Sequence, residues 1–244
     1  MHLLVLEGTH AEEEFRQKFG PGHSYVFWAE TPLDPATAAD FEADWEDHYD
    51  EQQAALVAHL ATADVVFAFA GATDLPPLPP GKVLFVEATT QALAGPFFGP
   101  GGHRGTAVYG FCGLPTLLNR PLLEVSVVMG GDQAPLREVC QQLGTDYRVV
   151  ADRVGLATPR VVAMLVNEAC YTLQEGTAEA ADIDRAMQLG VNYPRGPLAW
   201  GDILGPARVV AVLDAVWADT HDPRYRVCPL LRTRAALGEA LAAA

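Results

Sequence analysis

The sequence predicts an abbreviated, doubly wound α/β domain with a parallel sheet over residues 1–151, followed by an all-helical domain over 152–244. Three observations predict it. Short unbroken apolar runs at 3–6, 25–28, 65–69 and 83–86 alternate with stretches of helical spacing, the pattern of strands covered on both faces. After Asp152 the spacing is helical throughout, with Val161, Val162, Leu165, Val166, Ala169, Cys170 and Leu173 along one stripe. The chain's 244 residues suffice, at ~150 per domain, for one large or two modest cores.

The first apolar run ends at Glu7-Gly8, and residues 9–19 then turn charged with helical spacing, which reads as strand, turn, helix. The run at 25–28 leads to Glu30 and a proline-punctuated loop. Residues 36–61 are alanine-rich and acidic, with Phe41, Trp45, Leu56 and Leu60 among their apolar positions, and read as one long or broken helix. Strands are expected again at 64–69 and 82–87. Between Gly95 and Gly113 glycine and proline replace periodicity, so a loop crossing the carboxyl edge of the sheet is expected there. A strand at 122–129, an amphipathic helix at 133–143 and a short strand at 148–151 close this half. Beyond it, Gly176 is placed as a helix stop, and further helices are expected at 179–189, 206–217 and 230–243.

Composition narrows the function classes. Hydrophobic residues are 50% and charged residues 19% of the chain, too apolar for a disordered protein. Sixteen Lys and Arg against 31 Asp and Glu give a net charge of −15, which repels phosphate backbones and anionic headgroups. Neither a nucleic acid nor a membrane is expected as partner. Cys112, Cys140, Cys170 and Cys228 are scattered, with no C-x-x-C pair and no close His, so neither a metal site nor a disulfide framework is expected. With no basic leader or long apolar stretch in view, the expectation is a soluble, cytoplasmic protein.

The second half carries a dense motif: Asn167-Glu168-Ala169, Glu175-Gly176, Asp182-Ile183-Asp184, Ala186-Met187, Leu189-Gly190, Tyr193-Pro194, Gly196-Pro197 and Asp202. In order and spacing it resembles the C-terminal helical domain of 3-hydroxyacyl-CoA dehydrogenases, over roughly residues 152–232. Physically these residues are expected to build the fold, Asp182 capping a helix start and Gly190 a helix end. A weaker likeness covers residues 110–125, G-F-C-G-L-P-T-L-L-N-R-P-L-L-E-V, against the family's G-x-H-F-F-N-P-V-P-x-x-x-L-V-E-V. Glu87 to Leu93 lies where the family has a strand end A-S-N-T-S-S-L. The resemblance implies a Rossmann-like first domain holding NAD, an acyl-CoA or smaller hydroxy acid in the cleft, a homodimer through the helical domain, and a place in fatty acid metabolism.

Position by position, the implied machinery is incomplete. Oxidising a 3-hydroxyacyl thioester needs a base for the alcohol proton, and imidazole suits it because its pKa lies near neutrality. The family's catalytic His falls on Cys112 and its partner Glu on Glu124, so these are the candidate catalytic residues. A thiol of ordinary pKa ~8.5 is a poor base at pH 7, and a neighbouring carboxylate raises it further. The family's Ser facing the substrate hydroxyl falls on Gln91, the candidate substrate-binding residue, and two Asn positions fall on Pro115 and Pro159, which offer no side-chain donor. The first turn has Gly8 and Thr9 as candidate cofactor contacts but lacks G-x-G-x-x-G and carries four carboxylates, Glu7, Glu12, Glu13 and Glu14. Glu30, after the second strand, is the candidate for the adenine ribose; the acidic residue expected after the third strand is Ala72. His103 is considered as a displaced imidazole. The implied function is a diverged, NAD-linked dehydrogenase with weakened turnover. The alternative is a non-catalytic dimeric relative serving as a binding or regulatory scaffold.

Overall fold

The computed structural model describes residues 1–31, 41–76, 78–98 and 105–242, with only the helical backbone of residues 41–44. His103 and residues 36–40 of the expected long helix lie outside the described residues.

The first half is a seven-stranded sheet in the order β2-β1-β3-β4-β5-β6-β7, formed by β1 (His2–Leu6), β2 (Ser24–Trp28), β3 (Val65–Ala68), β4 (Val83–Glu87), β5 (Ala107–Phe111), β6 (Leu122–Val127) and β7 (Asp146–Ala151). The strands from β2 to β5 pair in parallel; β6 joins β5 antiparallel and β7 joins β6 in parallel. The sheet is therefore mostly, not wholly, parallel. One strand, β5, lies inside the glycine-rich stretch expected to be loop, preceded by the short helix α3 (Ala94–Phe98). Its five residues, Ala107-Val108-Tyr109-Gly110-Phe111, are too few for a periodicity to stand out against the flanking glycines.

Side chains alternate across the sheet, and helices cover both faces. On one face Leu3, Val5, Val65, Phe67 and Phe85 pack under α1 (Glu12–Phe19) and α4 (Ala134–Leu143), with Phe15, Phe19, Leu136 and Val139 as the helical contributions. On the other, Leu4, Leu6, Val66, Leu84 and Val86 meet Leu56 and Leu60 of α2 (Phe41–Thr62) and Phe97 of α3. Fully burying a Leu or Phe contributes ~1.5–3 kcal/mol, so these two layers supply most of the half's stability.

The second half is helical: α5 (Thr158–Gln174), α6 (Ala180–Val191), α7 (Pro197–Leu204), α8 (Pro206–Thr220) and α9 (Pro229–Leu237). The segment forming α7 was not expected as a helix; its eight residues include Pro197 and Gly201. The motif residues act as struts. Asp184, rather than Asp182, does the capping: its carboxylate accepts from Leu198 N at 2.8 Å and Ala199 N at 2.9 Å, in the first turn of α7. Gly190 lies within α6, which ends instead at Asn192 in the left-handed conformation. Asp202 likewise accepts from Leu241 N and Ala242 N. Buried Asn167 bridges α5 to the α9 approach, donating to Arg226 O and accepting from Cys228 N. Among the described residues no helix is long and apolar enough to cross a membrane.

The two halves share a core. Ala88, Cys112, Leu114 and Leu117 from the sheet half pack in the same cluster as Val162, Val166, Leu198 and Val212 of the helices.

Candidate ligand-binding cleft

In open α/β sheets ligands bind beyond the carboxyl ends of the strands, where the strand order reverses. Here that point lies between β1 and β3, and two cavities open on either side of Glu7 and Ala70. The inner one, about 260 Å3, lies between the sheet and α8, and is lined by His10, Glu87, Thr89, Thr90, Gly113 and Arg208, with Phe69, Leu114 and Ala211 as its apolar part. The outer one, about 490 Å3, is lined by Glu7, Trp28, Glu30, Tyr49 and Asp74 among others.

At the floor of the inner cavity Glu87 ends β4. Its Oε2 accepts from Thr89 Oγ1 at 2.8 Å and Thr89 N at 3.1 Å, and Oε1 accepts from Gly113 N at 3.3 Å. Burial raises the carboxyl pKa above its ordinary value despite these bonds. His10 comes from the 3-10 turn after β1 and meets the edge of Phe69, ring centroids 5.0 Å apart. Burial first, then the charge of Arg208, holds its imidazole below the usual value, with Glu14 opposing. Arg208 stands in the first turn of α8, so the cleft draws its groups from both halves of the chain.

The residues singled out in the sequence are dispersed around this cleft. Cys112 is 3% exposed in the shared core, beside but not among the lining residues. Burial first, then Glu87, pushes its thiol well above the ordinary range, which leaves it protonated and without basicity. Glu124 faces the start of α5: Oε1 accepts from Ala157 N at 2.5 Å and from Thr158 N at 3.2 Å, and Oε2 from Thr158 N at 3.0 Å. Its carboxylate thus stands in for a capping side chain that Ala157 lacks. Gln91 donates to Glu87 O at 3.2 Å, tying down the strand end. Pro115 follows Leu114 at the cleft, and Pro159 is buried in the first turn of α5.

Glu30 lines the outer cavity, and its backbone N donates to Glu7 Oε1 at 2.8 Å. Gly8 is buried and Thr9 opens the 3-10 turn. The residues present do not fit the pyrophosphate of NAD. A glycine in this turn serves by letting phosphate approach the backbone. Here the chain's own Phe69 takes that space, since a Cβ on Gly8 would lie 2.4 Å from its Cδ2 and one on Gly113 would lie 2.4 Å from its Cε1. Glu12, Glu13 and Glu14 fill the first turn of α1, where phosphate oxygens would otherwise find a positive helix end.

His10, Glu87, Thr89 and Arg208 were not singled out from the sequence. Only Glu87 had a legible signal, as a carboxylate closing a buried apolar run.

Residues 155–243 match the family model described as the 3-hydroxyacyl-CoA dehydrogenase C-terminal domain. The helical half is thus a 3-hydroxyacyl-CoA dehydrogenase C-terminal domain. It is similar to the 3-hydroxyadipyl-CoA dehydrogenase of Escherichia coli, 50% identical over 97 residues, which are 40% of this chain and 20% of that protein. The probable 3-hydroxybutyryl-CoA dehydrogenase of Bacillus subtilis is 36% identical over 94 residues, 38% of this chain and 33% of that protein. The matches thus span a third or less of these relatives' lengths. In fold the likeness is broader: the crystal structure of Mycobacterium tuberculosis FadB2 superposes with a TM-score of 0.71 at 17% identity, over 98% of this chain and 94% of that one.

Proposed function

We propose that this protein is a diverged, dehydrogenase-like member of its family whose cleft binds a small ligand. In it, NAD-linked oxidation at C3 of a 3-hydroxyacyl-CoA is lost or reduced to a trace. The observation that carries this reading is the buried thiol of Cys112, at the position where the resemblance puts the family's catalytic base. Losing a general base costs on the order of 10²- to 10⁴-fold. The remaining groups hold rather than transfer: Thr89 and Gly113 fix Glu87, Glu124 anchors α5 against β6, and Phe69, Leu114 and Ala211 keep one side of the cavity apolar.

The test is reduction of acetoacetyl-CoA followed at the nicotinamide absorbance. Turnover within a hundredfold of a 3-hydroxybutyryl-CoA dehydrogenase assayed in parallel would contradict the reading. Cys112→His, which restores the imidazole, is expected to leave the rate near zero, because the first turn and the two prolines are unchanged.

A second reading, a non-catalytic dimeric scaffold, is favoured by Phe69 filling the first turn, which removes the need for a cofactor in the folded state. The helical half supports a homodimer: Val161 of α5 and Trp217 of α8 are 58% and 45% exposed, and Leu189 and Val191 of α6 are also exposed. Light scattering after gel filtration is expected to return about twice the 26.2 kDa chain mass.

A further inference from the structure

Arg208 lines the inner cavity. Its side chain makes one long hydrogen bond, 3.4 Å to Leu204 O, and no ion pair among the described residues. The carboxylates that line the cavity or act on His10 have partners elsewhere: Glu87 is held by Thr89 and Gly113, Glu7 by the amide of Glu30, and Glu14 by the amides of Thr116 and Asn119. The first turn of α8 lines the same space and adds the positive end of a fifteen-residue helix. Two further lining residues, His10 and Thr90, carry hydrogen-bonding side chains that have no hydrogen bond among the described residues.

The space is small. At about 260 Å3 it lies just below the ~300–1,000 Å3 of pockets for drug-sized ligands, and a third of its named lining is apolar. A coenzyme A tail, with its phosphates, would have to leave the cavity past a chain of net charge −15.

We propose that the inner cavity binds a small free monocarboxylate bearing a nearby hydroxyl or carbonyl oxygen, rather than its coenzyme A thioester. The carboxylate sits on the Arg208 fork, where planar bidentate geometry is strongest. The second oxygen bonds His10 or Thr90, and the carbon chain lies against Phe69, Leu114 and Ala211. The inference rests on the reading of the cleft as a ligand site and adds its ligand class.

Calorimetric titration of the whole protein with acetoacetate, 3-hydroxybutyrate, methyl acetoacetate and acetoacetyl-CoA tests it. The two acids are expected to bind saturably, and the uncharged methyl ester about tenfold or more weaker, because a charge-assisted pair is lost. Arg208→Gln is expected to weaken the acids about tenfold or more, with Arg208→Lys between it and wild type, while the ester is unaffected by either change. Equal binding of acid and ester, or unchanged acid binding by Arg208→Gln with a native melting curve, overturns the inference. Binding of the thioester or ester without the acids overturns the ligand class but leaves the cleft reading standing. No binding of any of the four overturns both.

Discussion

Phe69 lies where a side chain on Gly8 would be: a Cβ at residue 8 would approach its Cδ2 to 2.4 Å and Val5 Cγ1 to 2.6 Å. The turn after β1 is therefore shaped around the protein's own aromatic ring. That ring also touches Phe111 edge-on at 5.4 Å, so it is continuous with the core of the sheet.

Gly8→Ala is expected to destabilise the protein by ~1–3 kcal/mol through overpacking. In Phe69→Ala the added methyl is relieved of the ring and is left with Val5 Cγ1 alone to displace, so the double variant should be more stable than the sum of the two single losses implies. Urea denaturation of all four proteins measures the coupling; additivity within ~0.5 kcal/mol would show that the contact carries nothing.

Glu124→Ala is expected to cost ~1–2 kcal/mol, the range for a lost helix cap, because the amides of Ala157 and Thr158 lose their acceptor. Glu124→Gln, which retains one acceptor oxygen, should recover part of it. An unchanged denaturation midpoint for Glu124→Ala would leave the carboxylate free for another role.

The four cysteines are all buried. Burial pushes Cys140 to about 11 and Cys170 to about 12, and Cys112 well above its ordinary value. At pH 8 none of these three should hold a useful thiolate fraction. Reaction with a chromogenic disulfide is expected to be slow and limited by opening of the native state, with four thiols appearing promptly in denaturant. Rapid native labelling at Cys112 would contradict its placement.

Glu87 has a raised carboxyl pKa in the folded protein, so the folded state holds more protons than the unfolded one between the ordinary carboxylate value and the raised one. Stability should therefore fall as pH rises through that window, and be fully present below it. Glu87→Gln removes this contribution, and its urea-derived stability should decline less between pH 4 and 7 than that of wild type. Parallel pH profiles for the two proteins would show that Glu87 titrates normally.

Much of the fold was legible because burial leaves a pattern. Runs such as 3–6 and 83–86 are apolar throughout because both faces of those strands are covered, and the α5 stripe repeats because one face meets the core. The misses have local causes. The strand at Ala107–Phe111 is short and flanked by glycine, and the antiparallel pairing of β5 with β6 is a tertiary choice that leaves no mark on either strand. Site residues were harder. Gly8 signalled the turn, but only the folded chain shows that Phe69, sixty-one positions later, occupies it. Arg208 and His10 come from different halves, and no spacing in the sequence brings them together.

The claim on which the account turns is that the first turn is closed to a dinucleotide by Phe69 and its carboxylates. Titration of the protein with NADH, followed by nicotinamide fluorescence and carried to millimolar concentration, tests it most directly. The account predicts no saturable signal; a saturable one with micromolar affinity would contradict it.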